Sequence, residues 1–520
     1  MAKIEFNVKT IETLTGLTFG EIIPILPKLG ISLEDYNEDQ VSLEVNPNRI
    51  DWLSVEGIAK SIKFFKGIEK PKEEKILDSD YEVIIDKSVK EVRPYTVCAV
   101  AEIKFDEELI KSIIQLQEKL HLTFGRNRKK LAIGIYPAEK IKFPITFFAE
   151  DPKKVKFIPL NETREMNGLE ILENHEKGKE FKHLLEGKKV FPFFRDANNS
   201  ILSMPPIINS ELTGRVTEET EKVFIECSGF NLFYLNKALN VIVNTLLVRG
   251  AKVYKVKVKD VDSIYETPDF NWKEYSLDKK MVFDYLGVDV DFKLLEKMGY
   301  IVKDDKILVP SYRADIMHNV DLIEDLAIAF DYDNFKIQQS NIESIAEESK
   351  YSKLSNKLRE LLIGLDFFEM VNFNVTKIEN TINPIHLYNS VNQDYNVLRD
   401  VLFLPMLENV KQNKQIVNQR IFEIGRTFEN EEKEKLCAML TNASVSEARQ
   451  ILEYILDRFN LKYKFEEIDE EIFIPGRQIR VLDEKNKEIG IVAEIHPKIL
   501  KERSIPFNVV FFEIYLDCFF

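Results

Sequence analysis

Apolar residues recur along the chain in two rhythms, and the switches between them mark out the elements. β-Branched and apolar runs at 95–103 (YTVCAVAEI), 130–141 (KLAIGIYPAEKI) and 222–230 (KVFIECSGF) predict buried strands. Helical spacing over 109–125 and 230–250 predicts two helices between them, the second closed by Gly250. Earlier, EVNPNRIDWLSVEGIAKSI (44–62) begins as a strand and turns at Asn46-Pro47-Asn48. It then enters a helix that carries Leu53, Val55, Ile58, Ala59 and Ile62, with Asp51 or Ser54 as its cap. Beyond residue 275 two short helices each end in glycine (MVFDYLG and DFKLLEKMGYIV). A strand at 306–312 and an amphipathic helix over 317–335 follow. From 351 a helix (YSKLSNKLRELLIGLDF) leads into strands FEMVNFNVT, RIFEIGRTF, RQIRVLD, EIGIVAEI and NVVFFEIYLD.

A length of 520 residues implies three or four domains. Charged stretches at 66–80 and polar ones at 338–350 are the expected linkers. The net charge of −15 argues against a chain coated for nucleic acid, so any such contact is local or shared with a more basic partner. Cys98, Cys227, Cys437 and Cys518 stand far apart, which excludes a CxxC zinc or redox motif. The start carries no signal-peptide core, and no apolar run approaches the ~18 residues of a membrane span. The chain reads as soluble, reduced and cytoplasmic.

Three features can carry chemistry. Asp321, Glu324 and Asp325 share one face of the 317–335 helix, and Asp315 precedes them at the strand-to-helix turn. Four converging carboxylates suit a hard cation such as Mg²⁺ or Ca²⁺. The same acids also read as a cap and a dipole-favoured first turn. Secondly, Pro205-Pro206 predicts an extended entry to a polar group of Ser203, Asn209, Glu226 and Ser228, which can line one pocket and orient a water. The alternative is a capped helix and exposed strand residues. Thirdly, GRNRKK (125–130) can meet phosphates, although a solvated turn explains it as well. The six histidines form no HxH or HExxH pattern, and neither a Walker A motif nor GxGxxG occurs.

Taken in order, NPNRIDWLSVEGIA (46–59), GRNRKKLAIGIYP (125–137), SMPPIINSELTGRVTEET (203–220), VPSYRADIMHNVDLIEDLAIAFDYDN (309–334), VLRDVLFLPMLENVKQN (397–413), QRIFEIGRTFE (419–429), FIPGRQ (473–478) and GIVAEIHPKIL (490–500) form a series of blocks. They resemble those of the phenylalanyl-tRNA synthetase beta-subunit family in its shorter archaeal/eukaryotic-type form, a class II synthetase family. The resemblance runs from end to end.

The resemblance implies an α+β multidomain chain: an N-terminal α/β domain over 1–85, an editing-type domain over 86–258, a winged-helix-like domain over 262–338, and a catalytically inactive class II synthetase-like antiparallel sheet over 345–520. No GxG occurs in 351–520, and Arg399, Arg426 and Arg477 lack the frame of an ATP site. The implied assembly is an (αβ)₂ tetramer, in which the alpha subunit uses ATP to charge tRNA-Phe and this chain makes limited contact with that tRNA. Asp315, Asp321, Glu324 and Asp325 match the family's Mg²⁺ ligands, in a site shared with alpha. Phe194, Ser203, Asn209, Glu226 and Ser228 match its proofreading pocket, which removes tyrosine wrongly attached to tRNA-Phe. Glu226 stands where Asp is usual, Ser228 where Thr is usual, and Tyr136-Pro137 where His-Asp is common. An inserted OB-fold and a C-terminal anticodon-binding domain are not expected. Two other readings compete: a partnerless paralogue acting as a binding module or free-standing deacylase, and a metal-dependent hydrolase centred on the carboxylates. An obligate subunit should expose an apolar patch when alone, and VLFLPML (401–407), if exposed without alpha, would be such a patch.

Overall fold

The apolar run at 95–103 becomes strand Tyr95–Glu102, and its alternation faces two cores at once. Val97, Ala99 and Ala101 pack toward helices Glu107–Leu122 and Leu232–Val248, while Cys98 and Val100 enter a second cluster. A strand buried on both faces needs no polar positions, which is why this one reads as a continuous apolar run. The computed structural model describes residues 2–339 and 344–520. The chain divides into two compact units, 1–339 and 340–520.

The first unit is built on a ten-stranded sheet. From one edge it runs Ile208–Asn209, Ile201–Met204, Phe191–Arg195, Ile145–Glu150, Glu82–Ile85, Lys252–Lys259, Tyr95–Glu102, Lys222–Gly229 and Leu131–Pro137. Strand Ile264–Thr267 pairs with Lys252–Lys259 off that path. Tyr136 from one edge strand, Phe194 and Leu202 from near the other, and Val83, Phe147 and Val256 from between share one buried cluster. The sheet therefore curls until its two ends face each other.

Strands Glu82–Ile85 and Ile264–Thr267 enter this sheet from outside the expected 86–258 segment. The charged stretch 66–80 lies along strand Lys252–Lys259, where Leu77 bridges Tyr254 and Ser79 donates to the Lys255 carbonyl. A single apolar core continues from Ala2 to Ala329. Segments of under ~90 residues bury little surface alone, and sharing one core offsets that.

Helix Val55–Phe65 is capped by Ser54, whose hydroxyl accepts from the Gly57 amide; Asp51 pairs instead with Arg49. The helix is tied to Leu232–Val248 by Lys60 Nζ donating to Asn244 Oδ1 at 2.8 Å and by a 2.8 Å ion pair between Glu56 and Arg249. Farther on, a sheet of Lys273–Ser276, Lys306–Val309 and Ile301–Lys303 carries helix Asn319–Phe330. Gly287 (φ +69°) and Gly299 (φ +89°) end the helical turns before it, since only glycine takes this conformation freely.

The second unit has a seven-stranded sheet in the order Phe368–Glu369, Arg420–Phe428, Glu432–Thr441, Val509–Tyr515, Glu488–Ile495, Phe473–Asp483 and Tyr463–Glu467. All pairings are antiparallel except that of the first strand. Helices Lys350–Gly364 and Val445–Arg458 cover one face; Phe403–Gln412 and Pro497–Glu502 cover the other. The expected exposed patch at 401–407 is corrected by this arrangement. Its residues are buried, with Phe403 stacked on Phe511 at 4.4 Å between ring centres. The exposed apolar side chains lie elsewhere, at Phe368, Val371, Phe373, Tyr388 and Val391. Of the expected linker at 338–350, residues 340–343 lie outside the described residues. Among the described residues no helix is long and apolar enough to cross a membrane.

Candidate functional site

The curled sheet leaves a cavity of about 600 Å³ lined by Ser203, Asn209 and Glu226, with His121 and Arg128. Glu226 sits mid-strand, paired with Cys98 on one side and Gly134 on the other. Only a glycine fits at 134, because a Cβ there would stand 2.1 Å from the Tyr136 hydroxyl and 2.6 Å from Glu226 Oε1. Pro205-Pro206 does not extend the chain as expected. It forms the turn of the hairpin that sets Ser203 opposite Asn209, closed by the Ile207 amide on the Met204 carbonyl.

The Tyr136 hydroxyl ties the sheet's ends together. It lies 2.8 Å from Ser203 Oγ, 3.2 Å from Glu226 Oε1 and 3.4 Å from Asn209 Oδ1. Glu226 is buried, and its Oε2 has no hydrogen-bond partner. Burial pushes its pKa up to about 8, against the opposing pull of the Arg93 guanidinium. At neutral pH Glu226 is therefore mostly a neutral acid, able to donate as well as accept.

Two residues of the expected pocket are absent from the cavity lining, although the Ser228 hydroxyl stays close enough to Glu226 to draw its pKa down. Phe194 is wholly buried, stacked on Phe147 at 4.2 Å between ring centres. Ser228 is held by Arg93, which donates to its hydroxyl at 3.1 Å and to its carbonyl at 2.6 Å. The pocket thus gathers Ser203, Asn209 and Glu226 but not Phe194 or Ser228.

Two further residues, Arg128 and His121, line it, and a third touches its polar side chains from outside the lining. Arg126, Asn127 and Arg128 take φ of +49°, +52° and +63°, a left-handed turn that swings Arg128 inward. Its Nη1 donates to the Pro206 and Ile207 carbonyls at 2.9 and 2.8 Å. The GRNRKK run is thus only partly a solvated turn, with Arg126 and Lys129 exposed. His121 Nε2 accepts from the Ile133 amide at 2.8 Å, and Nδ1 has no partner. Burial holds its pKa well below the ordinary value, so the ring is neutral. Tyr136 is the third. A turn-prone Asn beside Gly125 was the visible signal for the first; nothing local marks the other two.

Glu226 also makes stability pH-dependent. Its folded pKa lies above its ordinary 4.5, so the stabilising protonated state is complete below about 4.5 and is lost as pH rises through about 8. Glu226→Gln removes this titration. Its thermal midpoint is expected to match wild type near pH 5 and to exceed it by several degrees at pH 9. Equal midpoints at pH 9 would contradict the neutral buried acid.

Asp315, from the turn, and Asp321, Glu324 and Asp325, from the helix, do not all share the same partners in this structure. Arg313, wholly buried, donates to both oxygens of Asp315 at 2.9 and 2.7 Å and to Asp325 at 2.7 Å. Tyr300 donates a short hydrogen bond to Asp325. Asp321 accepts from the Met317 and His318 amides at 2.8 and 2.7 Å as part of a capping box, and Glu324 is exposed. Among the described residues no three His, Cys, Asp or Glu side chains are gathered for a metal ion. The oxygen donors suit Mg²⁺, and in this arrangement the positive charge between Asp315 and Asp325 is Arg313.

The model of the phenylalanyl tRNA synthetase beta chain CLM domain matches residues 339–516, and that of the tRNA synthetase B5 domain matches 276–332. The phenylalanine–tRNA ligase beta subunit of Thermococcus sibiricus is 38% identical over 503 residues, covering 91% of this chain and 90% of its own. The chain belongs to the phenylalanine–tRNA ligase beta-subunit family. The Pyrococcus horikoshii phenylalanine–tRNA ligase beta subunit is 35% identical and covers 99% of both chains. A crystal structure of an N-terminal fragment of the Pyrococcus horikoshii phenylalanyl-tRNA synthetase beta subunit aligns at a TM-score of 0.61 with 39% identity. It covers 63% of this chain and 99% of the fragment. As a member of this beta-subunit family the chain is a subunit of an aminoacyl-tRNA ligase, and the family name implies an alpha subunit beside it.

Proposed function

We propose that this chain is the non-synthetic subunit of an (αβ)₂ phenylalanine–tRNA ligase in the cytoplasm, and that its cavity hydrolyses tyrosine misattached to tRNA-Phe. The observation that carries the second part is the cavity itself: Ser203, Asn209 and Glu226 converge there, with an unpartnered Glu226 Oε2. In the reaction water adds to the ester carbonyl and the bond to the ribose oxygen breaks. The amino acid leaves with its carboxyl group, and the ribose oxygen takes up a proton from the water. Glu226, mostly neutral at pH 7, serves to orient the water or the amino-acid group by hydrogen bonds and not as a strong base.

The 86–258 segment is then the deacylating domain, 262–338 a winged-helix-like interface module, and 345–520 a class II synthetase-like sheet without its own active site. Supporting the last point, helices cover both faces of the seven-stranded sheet, and Arg399 is spent on a buried pair with Glu423. Exposed Val371, Phe373, Tyr388 and Val391 supply the apolar surface that an alpha subunit would cover. ATP use and synthesis fall to that partner, and tRNA contact by this acidic chain is limited.

The test is deacylation of Tyr-tRNA-Phe by the co-purified two-subunit enzyme. Glu226→Ala is expected to lower the rate at least ~10-fold, in the range of a lost positioning group, while phenylalanine-dependent ATP–pyrophosphate exchange is retained. Unchanged deacylation would remove the cavity from this role.

A further inference from the structure

The basic turn at 125–130 belongs to a larger surface whose charge is opposite to that of the chain. Asp and Glu make up 87 of the 520 residues, yet none stands between Glu118 and Glu139 or between Glu226 and Asp260. The fold sets these two segments side by side. Leu131 pairs with Gly229 across the sheet, Lys130 Nζ lies 4.0 Å from the centre of the Tyr234 ring, and Phe124 meets the same ring edge-on at 5.3 Å. Phe233 adds a second edge contact to Tyr234 at 5.6 Å, and the Arg93 guanidinium sits 5.4 Å from the Phe230 ring. Phe230 and Phe233 are 50% and 51% exposed. Arg126 and Lys129 are exposed as well, and neither segment holds a carboxylate to pair with them.

The turn joins this surface to the cavity. Arg126, Asn127 and Arg128 are successive residues in the left-handed region, which residues other than glycine visit singly. The Asn127 and Arg128 amides close the turn on the Leu122 and His121 carbonyls at 3.3 and 3.1 Å. Its effect is to send one cation inward and two outward: Arg128 lines the cavity, while Arg126 and Lys129 face solvent. Unpaired cations beside half-exposed aromatic rings suit a single-stranded nucleic acid, whose phosphates meet the cations and whose bases stack on the rings. An apolar protein face would instead strip Arg126 and Lys129 of water without giving them a partner. An ester cleaved in the cavity is carried on the terminal ribose of tRNA, so the nucleotides next to it must leave over the cavity rim. The other charged lining residues give no such track. Glu118, Glu162 and Glu176 are acidic, and Lys177 and Arg215 are already paired with Glu180 and Glu211.

We propose that the surface formed by the 125–130 turn and residues 230–234 holds the unpaired 3′ strand of tRNA, with Arg126, Lys129 and Lys130 on its phosphates and Phe230 and Phe233 against its bases. The inference rests on the deacylation reading of the cavity. It gives an acidic chain a local grip on RNA without a basic coat.

Two measurements on the co-purified two-subunit enzyme test it. In the first, kcat/KM for deacylation of Tyr-tRNA-Phe is followed against salt. Arg126→Gln with Lys129→Gln is expected to lower it at least tenfold at low salt. The slope of log kcat/KM on log salt should also shrink by about 1.4, since each phosphate contact with a single strand contributes about 0.7. Phe230→Ala with Phe233→Ala should lower kcat/KM at least tenfold through lost stacking. A merely structural defect would not move the slope, so an unchanged slope in the double glutamine variant overturns the proposal. Free chains in the native mass of Phe230→Ala with Phe233→Ala overturn it too, because the surface would then belong to the alpha subunit. In the second, tRNA-Phe carrying 4-thiouridine in place of its unpaired 3′ cytidines is irradiated with the enzyme, and the attached peptides are identified. Attachment within 122–130 or 230–237 is expected, and attachment only outside them overturns the proposal. If no form deacylates the ester, the deacylation reading falls, while the cross-links still decide whether RNA lies on this surface.

Discussion

Arg313→Met is expected to cost the fold about 3–5 kcal/mol, the range found when one partner of a buried ion pair is removed. Arg313 is wholly buried and is the shared partner of Asp315 and Asp325. Methionine fills much of the volume, so the loss is electrostatic and not a cavity effect. Burial would raise the Asp315 pKa, yet the Arg313 guanidinium holds it below the ordinary 3.8. That pair is therefore stabilising at neutral pH, and its contribution is lost only as pH falls through the lowered value. Urea unfolding of the full chain, read at the transition that Arg313→Met moves, gives the number. Adding Asp315→Asn and Asp325→Asn to the variant should recover a large part of it. A loss below about 1 kcal/mol would place the pair among interactions no stronger than surface ones.

The second large effect concerns assembly. Val371 and Phe373 are 88% and 82% exposed, so Val371→Asp with Phe373→Asp should leave the stability of the isolated chain within about 0.5 kcal/mol. If an alpha subunit covers this surface, the same two charges must be stripped of water without a partner. The affinity for alpha should then fall at least ~100-fold, equivalent to about 2.7 kcal/mol. Native mass of the co-expressed chains at matched concentration measures this directly. The wild-type pair should give a heterotetramer and the variant free chains. An intact tetramer would move the interface away from 371–373.

Regular elements were legible in the sequence wherever a strand or helix obeyed one period throughout. RIFEIGRTF and EIGIVAEI coincide with strands Arg420–Phe428 and Glu488–Ile495. Ser54 and Gly250 mark helix ends because capping is local chemistry. What escaped was set by contacts distant in sequence. VLFLPML was visibly apolar, but only the fold shows that the seven-stranded sheet covers it. The spacing shows Asp321, Glu324 and Asp325 on one helix face with Asp315 at the turn before it; it does not show that the Arg313 side chain lies between Asp315 and Asp325. The polar pocket was half legible. Ser203, Asn209 and Glu226 stand at strand positions that can be guessed, while Tyr136 meets them only because the sheet curls through nine strands.

That curl has a consequence for the birth of the chain. Strand Lys252–Lys259 lies between Glu82–Ile85 and Tyr95–Glu102 in the sheet. Ribosomes add about 5–20 residues per second, so about 8 to 30 seconds separate the emergence of the flanking strands from that of the strand that joins them. Throughout that interval the apolar edge formed by Ala99, Val100 and Ala101 has no partner on that side, and such edges pair readily with other chains. The sheet thus stays open on that side until residue 252 and those after it have emerged, a stretch of synthesis in which the edge needs protection.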